Sequence, residues 1–382
     1  MKKLLLVITV LALVICASCC NKEIYQAEVG GKIMKLPIYT GTQGSCHIQG
    51  IAVDAEKGYI YYSFTTKLIK ATLEGEIVGS VEGLTGHLGC IDFNTSDGRV
   101  YGSLEYKNDS IGRGIKRNLG GVDGANADGF YMAIFDVDKI DRTDMDAAKD
   151  GVMTAVYLKE VVDDYTGTGV NKNGEAVSHR YGCSGIDGTA FGPMPGSSDG
   201  RQYLFVCYGV YEDNDRADND HQVILCYDTA NWAQYEKPLN ENSLHTSGPE
   251  KPYKKFFLYT GNTRYGVQNL EYDAFTNSYF AAVYKGSKKE FPNYSLFAID
   301  AAKAPFEAEL KGLNETGECL TLKKIGTDGG EICGIYGEIG TTGLYAFGDG
   351  TYLISQPQRK PDGQCSCIYG YTFDDEKGFM QK

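Results

Sequence analysis

The alternation of apolar and polar positions divides the chain into short, repeating strands. Residues 32–38 alternate with a period of two but precede any partner. Residues 46–54 and 57–63 then set out a unit: a polar residue, a tiny one, an apolar residue, a spacer and a second apolar residue, followed by a turn and an alternating strand rich in Tyr. The unit returns at residues 89–94, 187–192, 268–273 and 342–347, beginning respectively on Gly89, Asp187, Gln268 and Thr342. Behind the first copy, strands at 49–53, 59–63, 67–72 and 77–81 are separated by Gly-bearing turns, and four strands in about 40 residues is the period of a propeller blade.

The same reading places later strands at 99–105, 130–136 and 152–158, at 202–210, 222–228 and 256–259, at 278–284, 294–299 and 319–323, and at 352–355 and 368–373. The Gly-rich, polar stretch 106–128 carries no core pattern and is expected as an inserted loop. The last repeat supplies three strands, so the unpartnered strand at about 32–38 is expected to complete it and to close the ring, which removes the exposed edges. The prediction is an all-β chain, a five-bladed β-propeller of four-stranded blades over residues 31–382. Five blades are favoured over six or seven because each long gap between repeats holds only four strand-like runs.

Composition agrees with many short strands: 48 Gly, 28 Tyr and 16 Phe stand against one Trp and 23% charged residues. The net charge of −13 and the lack of clustered Lys and Arg exclude a phosphate-tracking surface, so nucleic acid is not an expected partner. At the start, Lys2 and Lys3 precede an apolar run from Leu4 to Ile15 that ends on Ala17-Ser18-Cys19-Cys20. Residues 1–18 read as a signal peptide and are too short to span a bilayer. The Ala-Ser-Cys ending resembles the lipobox of bacterial lipoproteins. That resemblance implies lipid attachment at Cys19, with Cys20 a competing acceptor and residues 19–30 a tether. The expected location is the cell envelope, with the outer membrane or cell surface favoured and the lipid as the only membrane contact. The protein is expected to be a monomer.

In a propeller the first strand of each blade lines the axis, and the loops leading into it share a face with those joining second and third strands. Four of the five His fall on that face, at 47, 87, 179 and 221. His47 and His87 each stand two residues before the start of a repeat and are expected to approach each other at the mouth. Together with Gln49, His179, Arg180, Tyr181, Asp187, Arg264, Tyr265 and Gln268 they form the candidate ligand-binding set. Tyr offers a stacking face, and Arg and the amides offer hydrogen bonds. Asp187 is the single carboxylate in the axial ring, short of the pair that glycoside hydrolysis requires. A divalent ion such as calcium is the one cofactor this set suggests. The acidic run 212–220 lacks the Gly and terminal Glu of a hand-type calcium loop and is expected to be solvated. Cys46 and Cys183 flank two repeat starts and are expected to be unpaired, with a disulfide between them the alternative.

Gln49-Gly50-Ile51 followed by Tyr59-Ile60-Tyr61-Tyr62-Ser63 resembles the opening blade of five-bladed glutaminyl cyclotransferases, and Asn269-Leu270-Glu271-Tyr272 resembles a later blade of the same fold. The resemblance covers scaffold positions. Where those enzymes carry axial Glu, this chain has Cys90 and Asn269, so it implies the fold and not the chemistry. The whole chain resembles β-propeller lipoproteins of gut anaerobes. The expected function is a lipid-anchored propeller that binds a polar small molecule or glycan at its axial mouth. The alternatives are a metal-assisted hydrolase or lyase acting on glycans or phosphoesters, and a protein-interaction scaffold.

Overall fold

The computed structural model describes Cys20, residues 23–125 and residues 127–382. The expected signal peptide, residues 1–18, and the expected lipid acceptor Cys19 lie outside the described residues. Five sheets stand around one axis. Blade one is Ile48–Asp54, Tyr59–Phe64, Lys67–Thr72 and Ile77–Glu82, and blade two is His87–Asn94, Arg99–Tyr106, Gly129–Phe135 and Met153–Tyr157. Blade three is Cys183–Pro193, Gln202–Val210, His221–Tyr227 and Lys254–Tyr259. Blade four is Thr263–Asp273, Ser278–Lys285 and Leu296–Asp300, with a fourth position filled by single bridges from Leu322 and Ile335. Blade five is Leu344–Ala346, Thr351–Lys360, Gly363–Asp374 and Gly378–Gln381.

The inner and middle strands of the blades are largely buried on both faces. Period-two alternation sends neighbouring side chains to opposite sides. Tyr61 packs into the cluster shared with blade two, through Leu88 and Ile91, whereas Tyr62 packs into the one shared with blade five, through Leu353 and Ile368. Three further clusters fill the remaining gaps between blades. At the hub the strands come so close that only tiny residues fit. A Cβ on Gly50 would stand 2.6 Å from the backbone nitrogen of Ile91.

The N-terminal chain closes the ring, by a shorter strand than expected. Ile38–Tyr39 pairs with Cys367 and Ile368, and the C-terminal strand Gly378–Gln381 pairs with Tyr371–Asp374 of the same neighbour. The fourth position of blade five is therefore shared by the two ends of the chain. Lys32–Leu36 instead forms a hairpin with Tyr25–Val29, residues expected in the tether, and its Met34 and Leu36 are buried against blade one. A disulfide between Cys20 and Cys367 spans 347 residues of sequence beside this seam. Cys46 and Cys183 carry free thiols.

The uneven repeat spacing has a structural cause. Met145–Asp146, inserted within blade two, pairs in parallel with the outer strand of blade one. The segment around Lys237 to Ser247, inserted within blade three, bonds Ala155 and Tyr157 on the outer strand of blade two. The hairpin Phe306–Glu309 and Thr316–Cys319, which follows the third strand of blade four, pairs in parallel with the outer strand of blade three. Each insertion thus covers the outer edge of the blade before it. Residues 106–128, expected as a plain loop, contain the helix Ser110–Asn118, capped by the Asp109 carboxylate and seated by Ile115.

The acidic run is solvated at Glu212, Asn214 and Asp215, as expected, but turns inward from Arg216. Arg216 makes two bonds to the buried Asp218 carboxylate, at 2.8 and 2.9 Å. The Lys288 ammonium is enclosed by the Arg216 carbonyl, Asn219 Oδ1 and the Asp220 carboxylate. Blade four thereby supplies an internal cation to the buried half of this loop.

The staple at the seam yields a measurable expectation. Cys367→Ser, or reduction of the wild type, should lower the unfolding free energy by about 2–5 kcal/mol, because closing so long a loop restricts the unfolded chain strongly. Thermal denaturation checks this, with Cys46→Ser, at a free thiol, as the unchanged control.

Candidate functional site

The axial residues reach the hub through a shared irregularity. In the first four inner strands the pairing with the second strand slips at the same height. Gln49 is skipped between Ile48 and Gly50, and Gly89 with Cys90 between Leu88 and Ile91. Asp187 with Gly188 is skipped between Ile186 and Thr189, and Gln268 between Val267 and Asn269. A bulge frees a residue from the ladder and re-aims its side chain, so the ring inferred from the repeats is a ring of bulges.

Above this ring lies a cavity of about 630 Å³. Of the ten candidate residues, His47, Gln49, His87, Asp187, Arg264, Tyr265 and Gln268 line it. His179, Arg180 and Tyr181 do not. His179 Nδ1 bonds the Tyr165 carbonyl at 2.6 Å, and its ring lies between Tyr165 and Tyr211. Arg180 pairs with Glu315 and lies over the Tyr181 ring, and Tyr181 is buried against Phe257. Positive φ angles of 69° at His179 and 56° at Tyr181 turn this segment away from the axis. His221 is likewise remote from the cavity, buried beside Tyr259.

The floor holds two residues outside the candidate set. Glu105 and Lys107 extend from the end of the second strand of blade two, where apolar alternation gives way to charge. Lys107 Nζ lies 2.5 Å from Glu105 Oε1 and donates to the Ser184 carbonyl at 2.6 Å. Glu105 Oε2 accepts the Ile186 backbone N–H at 2.9 Å. A Cβ on Gly185, whose φ is 122°, would collide with this carboxylate, so the position requires glycine. His87 Nδ1 stands 3.7 Å from Glu105 Oε1, too far for a hydrogen bond.

Burial controls the protonation of this floor. It raises the Asp187 carboxyl well above the usual range, and the Glu105 charge adds to the effect. The Cys90 N–H and the Gln268 amide bond Asp187 in the opposite sense, and its Oδ1 has no partner. Burial pushes His87 down to about 3, aided by the Lys107 charge, and lowers His47 as well. Burial therefore works against charge on both imidazoles and on the Asp187 carboxyl, while the Lys107 ammonium is matched by Glu105. Such a surface donates and accepts hydrogen bonds and disfavours net charge.

The rim is aromatic. Tyr265 and Tyr284 meet edge to face with centroids 6.2 Å apart, and the Arg264 guanidinium lies 5.0 Å above the Tyr265 ring. Tyr265 is 38% exposed and holds a φ of 68°. A bulky residue with that backbone is an outlier, and such strain concentrates where a side chain must be aimed. Among the described residues, no three His, Cys, Asp or Glu side chains are grouped to hold a metal ion.

Beneath the cavity the axis is plugged. Asn269 donates to the Gln49, Gln268 and Thr341 carbonyls and accepts from the Leu344 N–H, while Cys90 Sγ lies 3.5 Å from its Oδ1. Lower still, Asp92 accepts the Phe93 and Phe191 N–H groups and Glu271 accepts that of Ala346. Burial raises both carboxyls. Asp92 is pushed up to about 7, and the Asp92 charge adds to the rise at Glu271.

These two carboxyls set a pH dependence. Between about pH 4, where an unfolded Asp ionises, and pH 7, the folded chain holds more protons than the unfolded one, so this contribution falls as pH rises. Glu271→Gln keeps an acceptor for Ala346 and removes one charge. Its thermal midpoint should decline less than that of the wild type between pH 4 and 8.

The sequence matches no protein-family profile and no curated protein. Among solved structures, the chain is similar to a GH43 β-1,3-galactosidase with galactodeoxynojirimycin, at 12% identity and a TM-score of 0.39 over 90% of this chain and 98% of that one. It is also similar to the Dos1 propeller, at 9% identity and 0.31 over 91% and 85%. The PQQ domain of pyranose dehydrogenase from Coprinopsis cinerea aligns at 11% identity and 0.33 over 84% and 81%. At these values the similarities carry no argument about function.

Proposed function

We propose that the axial mouth binds a neutral, hydroxyl-rich small molecule, with a glycan the best fit. The observation that carries this reading is a neutral, hydrogen-bonding floor beneath an aromatic rim. Hydroxyl groups can pair with the amides of Gln49 and Gln268, the imidazoles and the Asp187 carboxyl, and the weakly polar face of a sugar ring suits Tyr265 and Tyr284. The cavity has the size of a small-molecule site, typically about 300–1,000 Å³. A phosphoester would have to be met by Arg264 and Lys285 at the rim, because the floor cation Lys107 is already matched by Glu105 and the Ser184 carbonyl.

Binding is favoured over hydrolysis for a related reason. Glu105 could pair with Asp187 as the second carboxylate, but Lys107 and the Ile186 N–H hold both of its oxygens. The metal-assisted alternative would draw on His47, His87, His179 and Asp187 together, and His179 faces Tyr165 and Tyr211 instead of the cavity. We also propose that the chain is anchored to a bacterial envelope by lipid on Cys19. The Cys20 disulfide supports this placement, since such bonds persist in oxidising compartments and this one occupies the competing acceptor.

A glycan screen followed by calorimetry tests the mouth. Tyr265→Ala should weaken any ligand found by roughly fivefold or more, about 1 kcal/mol for a lost stacking face, with little change in thermal midpoint. A screen without hits, or a hit indifferent to Tyr265→Ala and Asp187→Asn, would count against the site. For the anchor, Cys19→Ser should abolish labelled palmitate incorporation and move the protein from the detergent to the aqueous phase. Unaltered partition would refute attachment at that residue.

A further inference from the structure

We propose a second small-molecule site on the flank of blades three and four, suited to a planar aromatic ring that carries one hydrogen-bonding group. A cavity of about 200 Å³ opens where the hairpin of Phe306–Glu309 and Thr316–Cys319 crosses from blade four to the edge of blade three. It shares no lining residue with the axial mouth.

Three aromatic rings define its shape. His221 lies at its base with its centroid 5.1 Å from Tyr259 and 6.2 Å from Phe257. Phe306 lines the opening and is 50% exposed. There its ring offers a face or edge against which a planar ligand ring could pack. Leu320 and Leu322 complete an apolar wall.

The polar groups are few and differ in state. His221 is buried, and its Nδ1 has no hydrogen-bond partner. Burial lowers its pKa to about 4, with the Lys311 charge assisting, so the imidazole is neutral and offers one donor and one acceptor. Lys311 lies 4.4 Å over the Tyr259 ring and pairs with Glu331 at the mouth. Neither charge is left over to demand a charged ligand. Burial also raises the Cys319 thiol, which keeps it protonated and unreactive. Apolar walls, ring edges and a single neutral imidazole match the requirements of an indole or a phenol.

Saturation-transfer NMR on the whole chain, with indole as the probe and 1-methylindole as its analogue lacking the N–H, tests the site. The wild type should give a clear indole signal and prefer indole to 1-methylindole. Ala308→Phe fills the cavity from the exposed hairpin without entering the core and should reduce the indole signal by about fivefold or more. His221→Phe keeps the ring and should abolish the preference between the two probes, a readout that a general loss of stability would not reproduce. Tyr265→Ala, at the axial mouth, should leave the signal intact. The proposal is overturned by the absence of an indole signal, by a signal that both cavity variants leave unchanged, or by one that only Tyr265→Ala removes.

Discussion

Asn269 is the group on which the wheel turns. Five inner strands approach a common axis as their side chains shrink there and the ladders of four of them slip, and slipped ladders leave backbone groups unpaired in the interior. A buried carbonyl or N–H without a partner costs roughly 1–3 kcal/mol. One carboxamide, with two donors and an acceptor, meets carbonyls of blades one, four and five and an N–H of blade five, with the Cys90 thiol alongside. The hub is therefore closed by hydrogen bonding as well as by packing. The mouth is open above it because the same bulges that require Asn269 direct Gln49, Asp187 and Gln268 upward.

That hub explains why polar chemistry appears in only one place along the axis. Below Asn269 the carboxyls of Asp92 and Glu271 are each fastened to backbone N–H groups of the following blade. They act as ties between blades. Above it the Glu105 and Lys107 pair serves a similar purpose, fixing blade two to the inner strand of blade three through Ile186 and Ser184. The groups left to meet a ligand are those whose bonds are incomplete: the two imidazoles, two amides, the Asp187 carboxyl and the aromatic rim.

Much of this was legible in the sequence. Period-two alternation and five echoes of one unit were enough for the blades, and the position of each echo's first residue located Gln49, Gly89, Asp187 and Gln268 at the hub. Local pattern could not show contacts whose partners lie far away in the chain. The left-handed backbone of His179 and Tyr181, which removes Arg180 from the site, has no signature in residues that are not glycine. Glu105 and Lys107 could be read as charges on the mouth face, but not as the partners of Ile186 and Ser184. Lys288 gave no sign that its ammonium would sit inside the acidic run of another blade. The pairing of Cys20 with Cys367 and the shared strand of blade five depend on the two ends meeting, which the ring implies but does not place residue by residue.

The insertions that lengthen blades two, three and four overlap like roof tiles, each lying across the margin of the tile before it. Such a layout has a direction. As the polypeptide is synthesised, each of the first three sheets waits with a bare flank until the next one emerges to shelter it, and the final sheet is closed by the two ends of the chain together. A chain shortened from its far end would thus lose more than the missing piece: it would also strip the cover from a sheet that is itself intact.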